Sequence, residues 1–119
     1  MTTQEIADRL VALSREGKSA DAYKELFADH AVAIEPDYPE VPQKRTEGKE
    51  ALLKKDKEFG EMMTEFHDSS VSDPIVAGNY FTVSMMLDAT FKEQGRMKMD
   101  EICIYKVEDG KIVSEQFFY

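Results

Sequence analysis

The chain has 119 residues, 42% hydrophobic and 33% charged, which suits one globular domain over residues 1–119 and leaves little length for a second. Its net charge of −9, with Lys44-Arg45 and Lys54-Lys55 as the only adjacent basic pairs, sets electrostatics against nucleic acid and against an anionic membrane surface as partners. No apolar stretch approaches the ~20 residues that span a bilayer, and Met1-Thr2-Thr3-Gln4-Glu5 lacks a secretory signal, so a cytoplasmic protein is expected; a single cysteine and two histidines argue against a disulfide and a metal site, and no cofactor is expected.

Thr2 and Glu5 are spaced as a capping box, and Ile6, Leu10 and Leu13 recur at helical spacing until Gly17, predicting a helix over residues 5–16. Ser19 is the expected cap of a second helix with the stripe Tyr23, Leu26 and Phe27, broken at a turn at Asp29-His30. The run Ala31-Val32-Ala33-Ile34-Glu35 reads as a strand stopped by Pro36, and the proline-rich, charged stretch 36–49 as a surface loop or lid. A third helix is predicted over 49–63, its stripe Leu52, Asp56, Phe59 and Met63 interrupted by one acid and flanked by Leu53 and Met62.

From Glu65 onward the period changes from helical to alternating. An irregular strand region, 65–77, contains a break at Asp73-Pro74; a regular strand, 80–92, follows, with Phe81, Val83, Met85, Leu87, Ala89 and Phe91 on its core face. The turn Glu93-Gln94-Gly95 leads to an antiparallel partner over 96–107, and Glu108-Asp109-Gly110 to a last strand over 111–119. Helices first and a meander of strands afterwards give an α+β architecture, with helices on one face of a curved antiparallel sheet.

Glu101 breaks the strand pattern, sharing the face of Met97, Met99, Cys103, Tyr105 and Val107. A carboxylate on an apolar face is costly unless paired, hydrogen-bonded or neutralised, and each remedy changes its pKa. It is read equally as a functional acid and as a rim residue or structural ion pair. In the last strand either face is apolar enough to turn inward; if Val113, Glu115, Phe117 and Tyr119 do, Glu115 joins Glu101 and the Tyr119 phenol adds a donor. Glu35 closes an apolar strand. His67, between Phe66 and Asp68, is a candidate acid, base or donor, although a lone histidine is more often satisfied by a neighbour. His30 reads as structural. Methionines 62, 63, 85, 86, 97 and 99 read first as core filler and also suit varied apolar ligands, and Cys103 reads as a small apolar residue.

Leu26-Phe27-Ala28-Asp29-His30-Ala31 leading to Glu35-Pro36, then Glu47-Gly48-Lys49-Glu50-Ala51-Leu52, Phe81-Thr82-Val83-Ser84 and Val107-Glu108-Asp109-Gly110-Lys111-Ile112 together resemble the nuclear transport factor 2-like superfamily, which includes ketosteroid isomerases and SnoaL-like polyketide cyclases. The resemblance spans nearly the whole chain and implies a cystatin-like, cone-shaped roll, with an apolar pocket at its wide end and a homodimer through the outer sheet face, where Ile102 and Ile104 fall. It implies Glu35 at the position of the isomerase base, but Leu10 at its oxyanion tyrosine and Cys103 at its second acid, so ordinary ketosteroid isomerisation is disfavoured. That isomerase uses a tyrosine with a protonated aspartic acid to hold the developing oxyanion.

Two functions follow from the resemblance. One is a cofactor-independent isomerase, cyclase or lyase moving a proton on an apolar carbonyl compound, with Glu35 as base and Glu101 or His67 as donor, and with Phe59, Met63, Met85, Met99, Cys103, Glu115 and Tyr119 lining the pocket. The other is a non-catalytic ligand-binding or dimerisation module with the same fold, its acids merely paired.

Overall fold

The computed structural model describes residues 1–119. The helices are α1 (Thr3–Arg15), α2 (Ser19–Leu26) and α3 (Lys49–Met62), with two strands between the second and the third. The strands are β1 (Phe27–Ile34), β2 (Arg45–Glu47), β3 (Met63–Val71), β4 (Ile75–Ala77), β5 (Tyr80–Phe91), β6 (Gly95–Glu108) and β7 (Lys111–Phe118). They form one curved, open sheet in the order β2-β1-β7-β6-β5-β3, with β4 pairing on β5. Neighbouring strands are antiparallel except β1 and β7, which run parallel because α3 and the β3–β6 strands intervene between them.

The predicted capping box forms: the Thr2 hydroxyl accepts from the Glu5 amide and the Glu5 carboxylate accepts from the Thr2 amide. Ser19 does not cap α2. Lys18 occupies the cap position without a side-chain bond, while the Ser19 hydroxyl crosses to Asp56 of α3 at 2.9 Å. Phe27 belongs to β1 rather than to the second helix, and the expected turn at Asp29-His30 is extended strand. Within the expected loop, Arg45–Glu47 forms β2, pairing with Val32, Ala33 and Ile34. Three residues, two of them charged, give no alternation from which to see a strand.

The inner face of the sheet carries Phe27, Ala31 and Ala33 of β1, Phe81 and Val83 of β5, Cys103, Tyr105 and Val107 of β6 and Ile112 of β7, packed with Ile6, Leu10, Leu13, Leu26 and Leu52 from the helices. Burying such aliphatic and aromatic side chains contributes roughly 1.5–3 kcal/mol each. The β5–β6 hairpin keeps an unbroken register from Tyr80↔Lys106 to Phe91↔Gly95, closed by Lys92-Glu93-Gln94 with Gly95 at φ +77°. The next turn is the two-residue Asp109-Gly110, both at positive φ, flanked by the pair Glu108↔Lys111.

Two bulges place the residues of interest. In the β6–β7 ladder the register shifts between Lys106↔Ser114 and Val107↔Ile112, leaving Val113 as an extra residue. Ile112 and Glu115 therefore both point inward although an odd number of positions separates them, which is why both faces of this strand look apolar in sequence. In β3 a shift between Phe66 and Asp68 does the same at His67. No helix is long and apolar enough to cross a membrane.

Candidate active site

Three glutamates from three strands converge on the inner face. Glu35 follows β1, Glu101 lies on β6 and Glu115 on β7, where it pairs with Ala33 on one side and Tyr105 on the other. Glu115 senses the charges of both others, and Glu101 that of Glu35. The facing wall is α3, which packs on α2 and β1 and stands off the β5–β6 hairpin. The gap between them is the candidate cleft, bounded at one side by the Phe59 ring against Phe91, 5.4 Å between centroids. At the other side Lys55 Nζ donates to Glu35 Oε1 at 2.6 Å and the Tyr119 hydroxyl donates to Glu35 Oε2 at 2.9 Å.

The glutamates differ in environment. Glu35 receives a donor on each oxygen, the pattern of an ionised carboxylate in a pair. Glu101 is partly buried, and its only side-chain partner is the weak donor Cys103 Sγ at 3.7 Å. Burial raises its pKa; the Cys103 contact and Lys55 oppose this, and the charge of Glu35 adds to it. Glu115 is only 3% exposed. Its burial pushes the pKa up to about 8, against the pull of the Tyr23 hydroxyl and of Lys55 and with the repulsion of Glu101 and Glu35. Near neutral pH it is therefore predominantly a neutral acid. Burial also raises the Cys103 thiol, so it is no nucleophile, and raises the Tyr119 phenol together with the neighbouring Glu35.

The apolar part of the cleft comes from residues that the helices leave uncovered. Met63, Met85 and Met99 are half-buried along its floor, while Phe59 is 44% exposed at the rim with Met62, Phe66 and Met97 nearby on inward positions. Two other open depressions lie elsewhere. One, about 360 Å³, is a charged groove between α1 and α2 around Arg9, Asp21 and Lys24. The second, about 390 Å³, spreads over outer-face residues such as Ser84, Ile102 and Phe118 and meets the site through Met85 and Glu101. No group of three or more histidine, cysteine, aspartate or glutamate side chains has the arrangement to hold a metal ion.

Of the residues singled out from sequence, Glu35, Glu101, Cys103, Glu115 and Tyr119 come together, with Phe59, Met63, Met85 and Met99 along the same cleft. His67 does not join them. The bulge in β3 sends its ring to the outer-face row, where Nε2 lies 2.7 Å from the Thr90 hydroxyl and Nδ1 4.0 Å from Glu65, beside the Asp88–Arg96 pair. Two groups not singled out for chemistry stand beside the acids instead. Lys55 carried a signal, since it shares the stripe Leu52, Lys55, Phe59, Met62 on α3 with three apolar residues. Tyr23 did too: a tyrosine in an apolar helical stripe needs a partner for its hydroxyl, here Glu115 Oε1 at 2.6 Å.

The SnoaL-like domain family model matches residues 1–119. No curated protein matches the chain. A solved structure from Mesorhizobium loti, described as a candidate SnoaL-like polyketide cyclase with carbohydrate phosphatase in brackets, is 37% identical, covers 100% of both chains and superposes with a TM-score of 0.92. A Xanthomonas campestris protein of unknown function with a cystatin-like fold is 18% identical, with 99% of this chain and 90% of that one covered and a TM-score of 0.80. A Catenulispora acidiphila protein with a ketosteroid isomerase-like fold, in complex with trimethylamine, is 17% identical over 99% and 87% of the two chains, with a TM-score of 0.74. The last two share the fold alone.

Proposed function

Because the chain belongs to the SnoaL-like domain family, we propose that it is a small-molecule pocket protein whose inner-face glutamates transfer a proton on an apolar carbonyl compound without a cofactor. The observation that carries this is the contrast among three neighbouring carboxyls: Glu35 locked by Lys55 and Tyr119, Glu115 buried to a pKa of about 8, and Glu101 between them with a raised pKa and no strong partner. Environments that push such pKa values apart separate the acid from the base.

Glu101 takes the place of base. Its desolvated carboxylate abstracts a proton alpha to the carbonyl, and raising its pKa toward the working pH favours that step. Glu115, neutral, donates a hydrogen bond to the oxygen on which negative charge develops. The proton on Glu101 then returns to another carbon of the same molecule, so none is gained or lost. Glu35 and Lys55 form a fixed charged edge, and the methionines and Phe59 exclude water from the apolar body of the ligand.

Deuterium uptake by 2-tetralone, an aromatic ketone with acidic alpha protons, tests the proposal in D2O. Glu101→Gln is expected to lower the exchange rate by ~10²–10⁴-fold. Equal rates for wild type and variant would contradict it.

A second property is favoured by the outer face. Ile102, Ile104 and Phe118 are 51%, 37% and 46% exposed in adjacent strands, with Tyr80 nearby. Such a contiguous apolar patch suits a second copy of the chain, making a homodimer with both clefts facing away from the interface.

A further inference from the structure

We propose that Tyr23 is a positioning residue that fixes which oxygen of Glu115 carries the acid proton and aims that proton into the cleft. The inference rests on the role of Glu115 as donor and adds the device that makes it one.

Tyr23 lies on the buried stripe of α2, its ring tilted against Phe27 with 4.6 Å between centroids. From there its hydroxyl crosses to β7 and donates to Glu115 Oε1 at 2.6 Å, between residues 92 positions apart in the chain. A neutral carboxylic acid has one hydroxyl oxygen and one carbonyl oxygen. The Tyr23 hydroxyl has no other acceptor in the protein, so its hydrogen must go to Glu115 if it is to be satisfied, and Oε1 is then the carbonyl oxygen. The acid proton belongs on Oε2.

Oε2 has no protein partner, yet the only fully enclosed side-chain oxygen or nitrogen lacking one is Thr46 Oγ1. Oε2 therefore borders open space. Its strand neighbour on β1 is Ala33, too small to cover it, and its neighbour on β6 is Tyr105. Glu101, Glu35, Lys55, Cys103, Tyr105 and Tyr23 are the titratable groups around it. An O–H on Oε2 is thus the neutral donor offered to a ligand oxygen. The tyrosine and acid of this pair are at positions other than those where Leu10 and Cys103 stand, so the donor is built afresh from α2 and β7.

Carboxyl carbon NMR of wild type and Tyr23→Phe tests the proposal without a ligand. The Tyr23 hydrogen bond favours the charged form of Glu115, so its loss moves the Glu115 midpoint upward by about one pH unit or more. An unchanged midpoint overturns the proposal. A Glu115 that titrates with ordinary carboxylates in wild type overturns it along with the donor role itself.

Two further variants keep the test decisive if Tyr23→Phe does not fold. In Glu115→Gln the carbonyl oxygen takes the Tyr23 bond and the amide N–H groups face the cleft as a weaker donor, so 2-tetralone exchange falls about tenfold in kcat, with KM little changed. Glu115→Met has no donor and loses roughly 10²-fold or more in kcat. Equal losses in Glu115→Gln and Glu115→Met overturn the proposal. Wild type without exchange overturns the proton-transfer function, and the Glu115 midpoint still decides the role of Tyr23.

Discussion

At the scale of single residues, Glu115 is the carboxyl that burial displaces furthest toward its neutral form. It lies on the inner face of the sheet with one hydrogen bond, and burial alone accounts for the largest part of its shift to about 8 from the ordinary 4.5. Below pH 4.5 the folded and unfolded chains both hold its proton. Between 4.5 and about 8 the unfolded chain has released the proton and the folded chain retains it, so this group makes the fold less stable as pH rises, by up to about 1.4 kcal/mol per pH unit. Above about 8 both forms are ionised and the loss levels off. Glu115→Gln removes that slope while keeping the side-chain volume. Urea unfolding from pH 5 to 8 is expected to show the variant gaining stability relative to wild type at each step; parallel curves would contradict the assignment. The presence of a titrating acid here was legible only in part: Glu101 stood out by breaking an apolar alternation, whereas Glu115 depended on which way an ambiguous strand faced.

The scale of elements explains that ambiguity. A strand with one extra residue changes the face it presents midway, so a period of two cannot assign Ile112 and Glu115 to the same side. The β5–β6 hairpin, with no bulge over its length, was readable residue by residue, and the capping box of α1 was readable because all its partners lie within one turn. His67 was misplaced by a second bulge, and Ser19 by a tertiary acceptor, Asp56, 37 positions away. The partners of Lys55 and Tyr23 lay hidden for the same reason, since they come from other elements. Deletion of Val113 tests the bulge directly. With Glu108 and Lys111 still paired at the turn, the deletion leaves every pair of the ladder in place, Ile112 opposite Val107 and Glu115 opposite Tyr105, so both stay inward and the high Glu115 midpoint persists. Loss of the high midpoint in the deletion variant would show that Val113 is not the extra residue of this ladder.

For the whole molecule, the curved sheet separates two surfaces of different composition. Its concave side, only partly covered by three helices, retains the acids and the uncovered methionines; its convex side shows Ile102, Ile104 and Phe118. The proposed homodimer buries the second surface and leaves the first open. Ile104→Glu places a charge in the centre of that patch and is expected to turn a dimer into a monomer in sedimentation equilibrium, with the far-ultraviolet circular dichroism unchanged. A wild-type monomer at the same concentration would remove the interface. The cleft and its acids belong to one chain, so their titration does not depend on that outcome. The most direct measurement of the central claim is the carboxyl carbon NMR titration of all glutamates in the wild-type protein. One midpoint near 8, assigned to Glu115 by its disappearance in Glu115→Gln, is predicted, with Glu101 above the ordinary carboxylate range. Every glutamate titrating near 4 would contradict it.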